Sequence, residues 1–150
     1  MRVILQRSKN SKVTINREVH GSIDKGLVLL SSFEESDTKE VIDKMIDKII
    51  NLRIFEDSDE KMNLSLMDVN GSILNISQFT LYADISKGRR PSFVNAAKAD
   101  IASSLYDYMN EKISSLGINN QTGIFGADMK LEIYNDGPVT IIMDSDELFK

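Results

Sequence analysis

The sequence contains no cysteine and a single histidine, His20. Without cysteine, disulfide bonds, thiolate zinc sites and a cysteine nucleophile are excluded. A Ser-His-Asp triad would have to use His20, which lies between Val19 and Gly21 in a predicted β-hairpin, where little surrounds an imidazole to bury and orient it. We therefore predict that His20 faces solvent or packs on the hairpin instead of serving a triad.

Long apolar runs are also missing. No stretch approaches the roughly 20 apolar residues of a transmembrane helix, and the N-terminus lacks the apolar segment of a signal peptide. The expectation is a cytoplasmic protein without a membrane segment. The acidic groups at 57–60 and 144–147 lack the glycine and the ligand spacing of a calcium loop, so we interpret them as a solvated turn and a solvated tail. We predict no metal site and no cofactor.

Acidic residues outnumber basic ones by 23 to 18, which gives a net charge of −5. This balance argues against a protein that covers long stretches of nucleic acid, because such affinity comes from many phosphate contacts. Any RNA footprint should therefore be small.

Two groups of basic residues stand out from the acidic average: Lys87, Arg89 and Arg90 in the first, and Arg7, Lys9 and Lys12 in the second. Either could contact RNA. For a basic run as short as 87–90, the alternative interpretation is a solvated loop without a binding role.

The first thirty residues predict β-structure. Runs rich in β-branched residues at 2–8 and 11–15, a turn at 16–18 and a strand ending near Ile23 indicate a hairpin. The continuous apolar run at 27–30 is typical of a strand that is buried on both faces. A sheet covered by helices is the expected surrounding of such a strand.

Two long helices are predicted from apolar residues that recur with helical spacing. The first has Asp37 as its N-cap, with Glu40 three residues later, and ends near Asn51. The second begins after Pro91 and stops at Gly117. Its inner face is expected to consist of Phe93, Ala97, Ile101, Leu105, Tyr108, Met109, Ile113 and Leu116.

Three later segments predict strands. Residues 72–78 form the first, after a tight turn, and the last third of the chain gives strands at 129–134 and 139–143. Residues 135–138, Asn-Asp-Gly-Pro, have the composition of a turn between the last two strands. The sequence therefore predicts a closing hairpin formed by these two strands.

This order of elements predicts the α/β class. We expect a single domain over residues 1–145, built as a curled mixed sheet or partial β-barrel with the two long helices packed outside, followed by a short acidic tail at 146–150. Strand order cannot be derived from one sequence.

The first candidate site is Ser77-Gln78-Phe79-Thr80, which follows an apolar strand. Open α/β sheets tend to place ligands at the carboxyl ends of their strands. The alternative is a polar strand end with Phe79 in the core.

The second candidate is Asn135-Asp136-Gly137-Pro138, for which a plain turn is the alternative. A Gly-Pro peptide can be cis, but only about 5% of such bonds are. Nothing in the residues alone selects that form.

Taken together, Ser77-Gln78-Phe79-Thr80 and Asn135-Asp136-Gly137-Pro138-Val139-Thr140 resemble the two signature motifs of the D-aminoacyl-tRNA deacylase family. The resemblance covers nearly the whole chain in the same order, and only the tail after Ser145 falls outside it. Further stretches that look like the family are 52–57, 61–63, 81–84, 87–93 and 123–129.

The resemblance implies a homodimeric esterase that removes D-amino acids, and glycine as well, from tRNA. Gly137 and Pro138, joined by a cis bond, would enter the active site of the partner subunit and exclude L-amino acids. The other residues with implied or hypothesised roles are Ser77, Gln78, Phe79 and Thr80 in the catalytic site, Phe125 and Met129 near the terminal adenosine, Ala102 at the pocket wall, and Lys87, Arg89 and Arg90 on tRNA phosphates.

Such an esterase needs no protein base if the 2′-hydroxyl of the terminal ribose activates the attacking water. Gln78 and the backbone N–H groups of Phe79 and Thr80 would then bind the developing oxyanion. Thr80 as a covalent nucleophile is the competing mechanism. A noncatalytic module that binds RNA ends is the alternative from a different functional class.

Overall fold

The computed structural model describes residues 1–149, and one long antiparallel hairpin lies at its centre. Strand β1 spans Arg2–Ile15 and strand β2 spans Glu18–Ser32. Asn16 and Arg17 connect them with φ of 50° and 66°, the backbone of a two-residue turn that matches the twist of the paired strands. The predicted hairpin is confirmed, and its strands are longer than predicted because they stay paired along almost their whole length.

Four further strands extend this hairpin into a mixed sheet, and two others form a sheet of their own. The separate sheet consists of β3 (Phe55–Glu56) and β4 (Met62–Leu64), which pair with each other. The main sheet adds β5 (Ser72–Ser77), β6 (Asn120–Thr122), β7 (Lys130–Glu132) and β8 (Asn135–Asp144). The strand order is β6-β5-β2-β1, and both β7 and β8 pair with the edge of β1 that faces away from β2. Strand β5 is parallel to β2, and β6 is parallel to β5. The strand predicted at 72–78 is thus confirmed to within one residue.

The predicted closing hairpin is wrong, because β7 and β8 lie end to end along β1. Residues 12–14 of β1 pair with β7, and residues 2–8 pair with β8, both antiparallel. At the junction, Tyr134 N donates to Ser11 Oγ at 2.9 Å and Lys9 N donates to Tyr134 O at 3.1 Å. The predicted turn at 135–138 lies within β8, where the register with β1 shifts between Gln6 and Ser8 and residues 136–139 bulge from the ladder.

Three α-helices complete the domain within the described residues: α1 (Lys39–Asn51), α2 (Ala99–Ser115) and the short α3 (Ser145–Leu148). The N-cap of α1 is Thr38, whose Oγ1 accepts from Val41 N at 3.3 Å. Asp37 was predicted for this role but accepts from Glu34 N at 2.8 Å. Within residues 1–149, no helix combines the length and the apolar character required to cross a membrane.

Helix α2 begins at Ala99, eight residues after Pro91 and therefore later than predicted. Ala97 N donates to the carbonyl of Phe33 at 2.9 Å, which ties the preceding segment to the end of β2. Phe93 and Ala97 therefore lie outside the helix, and the prediction that they form part of its inner face is wrong. This segment becomes available to line a cavity.

The core consists of two layers, one on each face of the sheet. Helices α1 and α2 cover the face that carries Leu5, Leu27 and Leu29, all fully buried. The smaller layer joins Val28 and Leu74, among others, to the segment that contains β7. The molecule is a single α/β domain with a mixed sheet, and that sheet is not closed into a barrel. The predicted barrel-like curvature stays a prediction.

Candidate active site

The first candidate motif lies at the carboxyl end of β5, inside the sheet order between β2 and β6. Gln78 N donates to Ser31 O at 2.8 Å, which continues the pairing with β2 by one step. The chain then leaves the sheet in a 3₁₀ helix, Phe79–Tyr82. The sequence predicted a ligand site at this point of an α/β sheet, and a cavity opens here.

The cavity has a volume of about 890 Å³ and is bounded by three parts of the chain. One wall is the β5 end, the second is the start of α2 with the segment before it, and the third is the 125–131 segment. Six of the predicted site residues line this cavity: Ser77, Gln78, Phe79, Ala102, Phe125 and Met129. Thr80 is not among the lining residues, but its Oγ1 is hydrogen-bonded by Gln78 Nε2.

Phe79 lies at the mouth of the cavity. Its side chain is 54% exposed and meets Phe93 edge-on, with ring centroids 5.0 Å apart. The alternative interpretation, in which Phe79 belongs to the core, is therefore wrong. The aromatic pair gives the cavity an apolar mouth, and Phe93 is a site residue that the predicted longer helix had assigned to the core.

The charged groups that line the cavity are paired with one another or with neighbours. Lys98 Nζ lies 3.8 Å from Glu35 Oε1, and Lys130 Nζ lies 3.1 Å from Asp128 Oδ2. His20 is exposed on β2 and does not line the cavity. Within residues 1–149, no three histidine, aspartate or glutamate side chains come close enough to hold a metal ion. The cavity thus offers amide and backbone donors rather than a histidine base.

The second motif lies elsewhere on the surface. Gly137 and Pro138 are exposed, their peptide bond is cis, and neither lines the cavity of its own chain. The Asn135 side chain braces the segment, since its Oδ1 accepts from Val139 N at 2.8 Å and its Nδ2 donates to Thr140 Oγ1 at 2.9 Å. The two motifs are therefore not brought together within one chain.

A buried arginine holds the base of this second motif. Arg7 is 6% exposed; its Nε donates to Asp136 O at 2.8 Å and its Nη1 donates to Ile54 O at 2.7 Å. The prediction of a surface basic group that contains Arg7 is wrong. A signal existed in the sequence: Arg7 follows Val3 and Leu5 in a period of two, which places it on the buried face.

The basic run of residues 87–90 lies in an exposed loop that precedes the cavity residue Phe93. The loop is closed by paired backbone hydrogen bonds between Asp84 and Ser92, and it connects the 3₁₀ helix to Phe93. Lys87, Arg89 and Arg90 are exposed, and none of them forms an ion pair within the described part of the chain. An exposed basic loop therefore leads to the cavity residue Phe93 on an otherwise acidic protein.

Residues 4–144 match the sequence profile of the family described as D-Tyr-tRNA(Tyr) deacylase. The chain belongs to this family. The resemblance seen in the two motifs is thereby confirmed over almost the entire length.

Individual members of the family are similar throughout. A protein named D-aminoacyl-tRNA deacylase from Geobacillus sp. (strain WCH70) is 57% identical over 98% of this chain and 97% of its own length. A protein of the same name from Clostridioides difficile (strain 630) is 50% identical over 99% of this chain and 100% of its own.

Solved structures repeat the fold. The structure described as c-Myc DNA Unwinding Element Binding Protein has a TM-score of 0.90 at 35% identity and covers 96% of this chain and 98% of its own. The structure described as a probable eukaryotic D-amino acid tRNA deacylase has a TM-score of 0.81 and covers 95% of this chain and 97% of its own. Its sequence identity is 18%, so the similarity shows the shared fold alone.

We predict that Arg7→Met lowers the free energy of unfolding by about 1–3 kcal/mol, because it leaves the buried carbonyl of Ile54 and the partly buried carbonyl of Asp136 without these donors. Urea denaturation followed by far-UV circular dichroism measures the change. Lys9→Met is the matched control, since Lys9 is half exposed and lies 3.6 Å from Asp136 Oδ2, where ion pairs contribute little. Equal losses in the two variants would contradict the assigned role of Arg7.

Proposed function

We propose that this protein hydrolyses the ester bond that joins a D-amino acid to the 3′ end of tRNA, releasing the free amino acid and the tRNA. The observation that carries the proposal is the convergence of Ser77, Gln78, Phe125 and Met129 on one cavity in a chain of the deacylase family. A cavity of about 890 Å³ lies within the size range of small-molecule sites. Its apolar wall suits an adenine ring.

In this proposal the protein supplies placement and oxyanion stabilisation. The first N–H groups of a helix have no partner within it, and the 3₁₀ helix begins at Phe79. The N–H groups of Phe79 and Thr80, with the Gln78 amide, are the donors for the oxyanion of the tetrahedral intermediate. The hydroxyl of Thr80 orients the Gln78 amide through their hydrogen bond.

The attacking water is activated by the substrate in this mechanism. Histidine does not line the cavity, and the carboxylates of Glu35 and Asp128 lie beside lysines. The 2′-hydroxyl of the terminal ribose lies next to the ester carbonyl and can position the water or take part in proton transfer. The ester carbonyl receives the water oxygen, and the ribose oxygen leaves with a proton.

Chiral selection is assigned to the partner subunit of a homodimer. Gly137 and Pro138 are exposed, lie outside their own cavity and rest on a base fixed by Arg7 and Asn135. Their carbonyls, placed in a neighbour's cavity, would accept hydrogen bonds from the substrate ammonium and would clash with an L-side chain. Rejection by clash permits strong discrimination, and glycine, which has no side chain, would be accepted together with D-amino acids.

The tRNA itself is held at few points. Lys87, Arg89 and Arg90, in the exposed loop before Phe93, are assigned to phosphates of the acceptor end. The net charge of −5 opposes a wider footprint. The location that fits this substrate is the cytoplasm, where aminoacyl-tRNA is made and used.

The activity is tested by incubating the purified protein with D-tyrosyl-tRNA and L-tyrosyl-tRNA, with and without EDTA. We expect release of D-tyrosine alone, at a rate that the chelator does not change. Binding without release would support the noncatalytic RNA-end-binding module, and loss of release in EDTA would show a metal-dependent hydrolase.

The role of Thr80 is tested against that of the ribose hydroxyl. Thr80→Ala should retain most of the turnover, because the residue forms no covalent intermediate. Substrate ending in 2′-deoxyadenosine should be hydrolysed on the order of a hundredfold more slowly, since general acid–base assistance contributes factors of this size. The reverse pattern, an inactive Thr80→Ala and full turnover of the deoxy substrate, would identify Thr80 as the nucleophile.

The cross-subunit arrangement is tested with Gly137→Ala. Gly137 has φ of +143°, and an added Cβ would lie 2.8 Å from Val139 Cγ2, so the segment must move. Turnover should fall about tenfold or more, as expected for a displaced positioning group. Mixing this variant with Gln78→Ala by refolding should restore part of the activity, because the intact segment of one subunit completes the intact cavity of the other.

Gly117→Ala is the matched control, with φ of +80° and open space around the added carbon. It should change stability without changing turnover. Failure of the mixed dimers to exceed either parent would refute the transfer of Gly137 and Pro138 between subunits.

A further inference from the structure

Tyr106 lies behind the cavity and contacts the strand that carries the first motif. It is 3% exposed, and its hydroxyl donates to the Asn75 carbonyl at 2.6 Å. Burial raises the pKa of this hydroxyl, so it remains a donor at neutral pH. Asn75 precedes Ser77 by two residues on β5. The hydroxyl thus holds the backbone just before the point where the chain leaves the sheet.

The ring of Tyr106 supports a second wall of the same cavity. Its centroid lies 6.1 Å from that of Phe125, with the two planes tilted by 46°. On α2, Tyr106 follows the cavity residue Ala102 by four positions, which places both on one face of the helix. One side chain therefore contacts the β5 wall through its hydroxyl and the Phe125 wall through its ring.

Buried amides continue this connection towards Gln78. Asn75 Nδ2 donates to Asn110 Oδ1 at 2.8 Å, and Ser31 Oγ donates to Asn75 Oδ1 at 2.7 Å. Ser31 is the residue whose carbonyl accepts from Gln78 N. Helix α2 is thus linked to the backbone of Gln78 through side chains that are all hydrogen-bonded.

We propose that Tyr106 is a positioning residue that fixes the distance between Phe125 and Gln78, and with it the register between a bound terminal nucleoside and the ester carbonyl. The inference deepens the proposed function and rests on it. If Phe125 binds the adenosine and Gln78 acts at the carbonyl, a change in their separation affects the transition state more than the bound ground state. Small displacements of this kind have large effects on rate.

Tyr106→Phe tests the inference because it removes the hydroxyl and keeps the ring against Phe125. Tyr108→Phe is the matched control: Tyr108 lies on the same helix, and its hydroxyl donates to Asp43 Oδ1 at 2.8 Å, away from the cavity. We expect kcat for D-tyrosyl-tRNA to fall by about fivefold to tenfold in Tyr106→Phe, with KM nearly unchanged. Tyr108→Phe should retain both parameters.

Thermal unfolding of both variants separates positioning from stability. Similar midpoints together with a selective loss of kcat in Tyr106→Phe support the proposal. Equal kinetics in the two variants would overturn it, even if Tyr106→Phe were the less stable. A wild-type protein that releases no D-tyrosine would instead refute the proposed function.

A double-mutant cycle with Phe125→Leu provides the second measurement. If Tyr106 acts by fixing the distance between Gln78 and Phe125, removing its hydroxyl should have little further effect on kcat in the Phe125→Leu background, because the aromatic ring at one end of that distance is already lost. Additive losses in the double variant would contradict this route.

Discussion

The parallel pairing of β5 with β2 determines where the chain leaves the sheet. This pairing begins with Gly26 opposite Ser72 and ends with Ser31 opposite Ser77. Gly26 makes the pairing possible, because a Cβ at this position would overlap the carbonyl of Ser72. At the other end, Ser31 accepts from Gln78 N before the 3₁₀ helix begins. The position of the candidate oxyanion donors therefore depends on two hydrogen-bonded strands rather than on a mobile loop.

The cavity combines this rigid backbone with few reactive side chains. Its charged residues are paired at the rim, and its walls carry an amide and aromatic rings. Such a site is suited to a substrate that carries its own reactive hydroxyl, since the protein then contributes orientation and hydrogen-bond donors. In the proposed function, the acidic net charge and the basic loop at 87–90 fit the same division, because a protein with few exposed basic groups would contact few phosphates.

Local patterns in the sequence predicted the elements that depend on near neighbours. The apolar spacing of α1, the hairpin turn at Asn16 and Arg17 and the strand at 72–78 are examples. Contacts between distant residues decided the rest: β7 and β8 pair with β1 instead of each other, and the bond from Ala97 N to Phe33 O delays the start of α2. The motif at Ser77 could be located from strand chemistry, whereas Phe125 and Met129 were assigned only through the family resemblance.

The amide of Asn75 has a consequence for the folding of the chain. Asn75 is fully buried, and its partners Ser31 and Asn110 lie on one face of the sheet only. If β5 slipped by one residue, the amide would turn towards the face that carries Val13, Ile23 and Val28, where apolar side chains offer it no partner. An unpaired buried amide costs about 1–3 kcal/mol. Asn75 therefore penalises the wrong alignment of two neighbouring strands, so its contribution is to the uniqueness of the native arrangement.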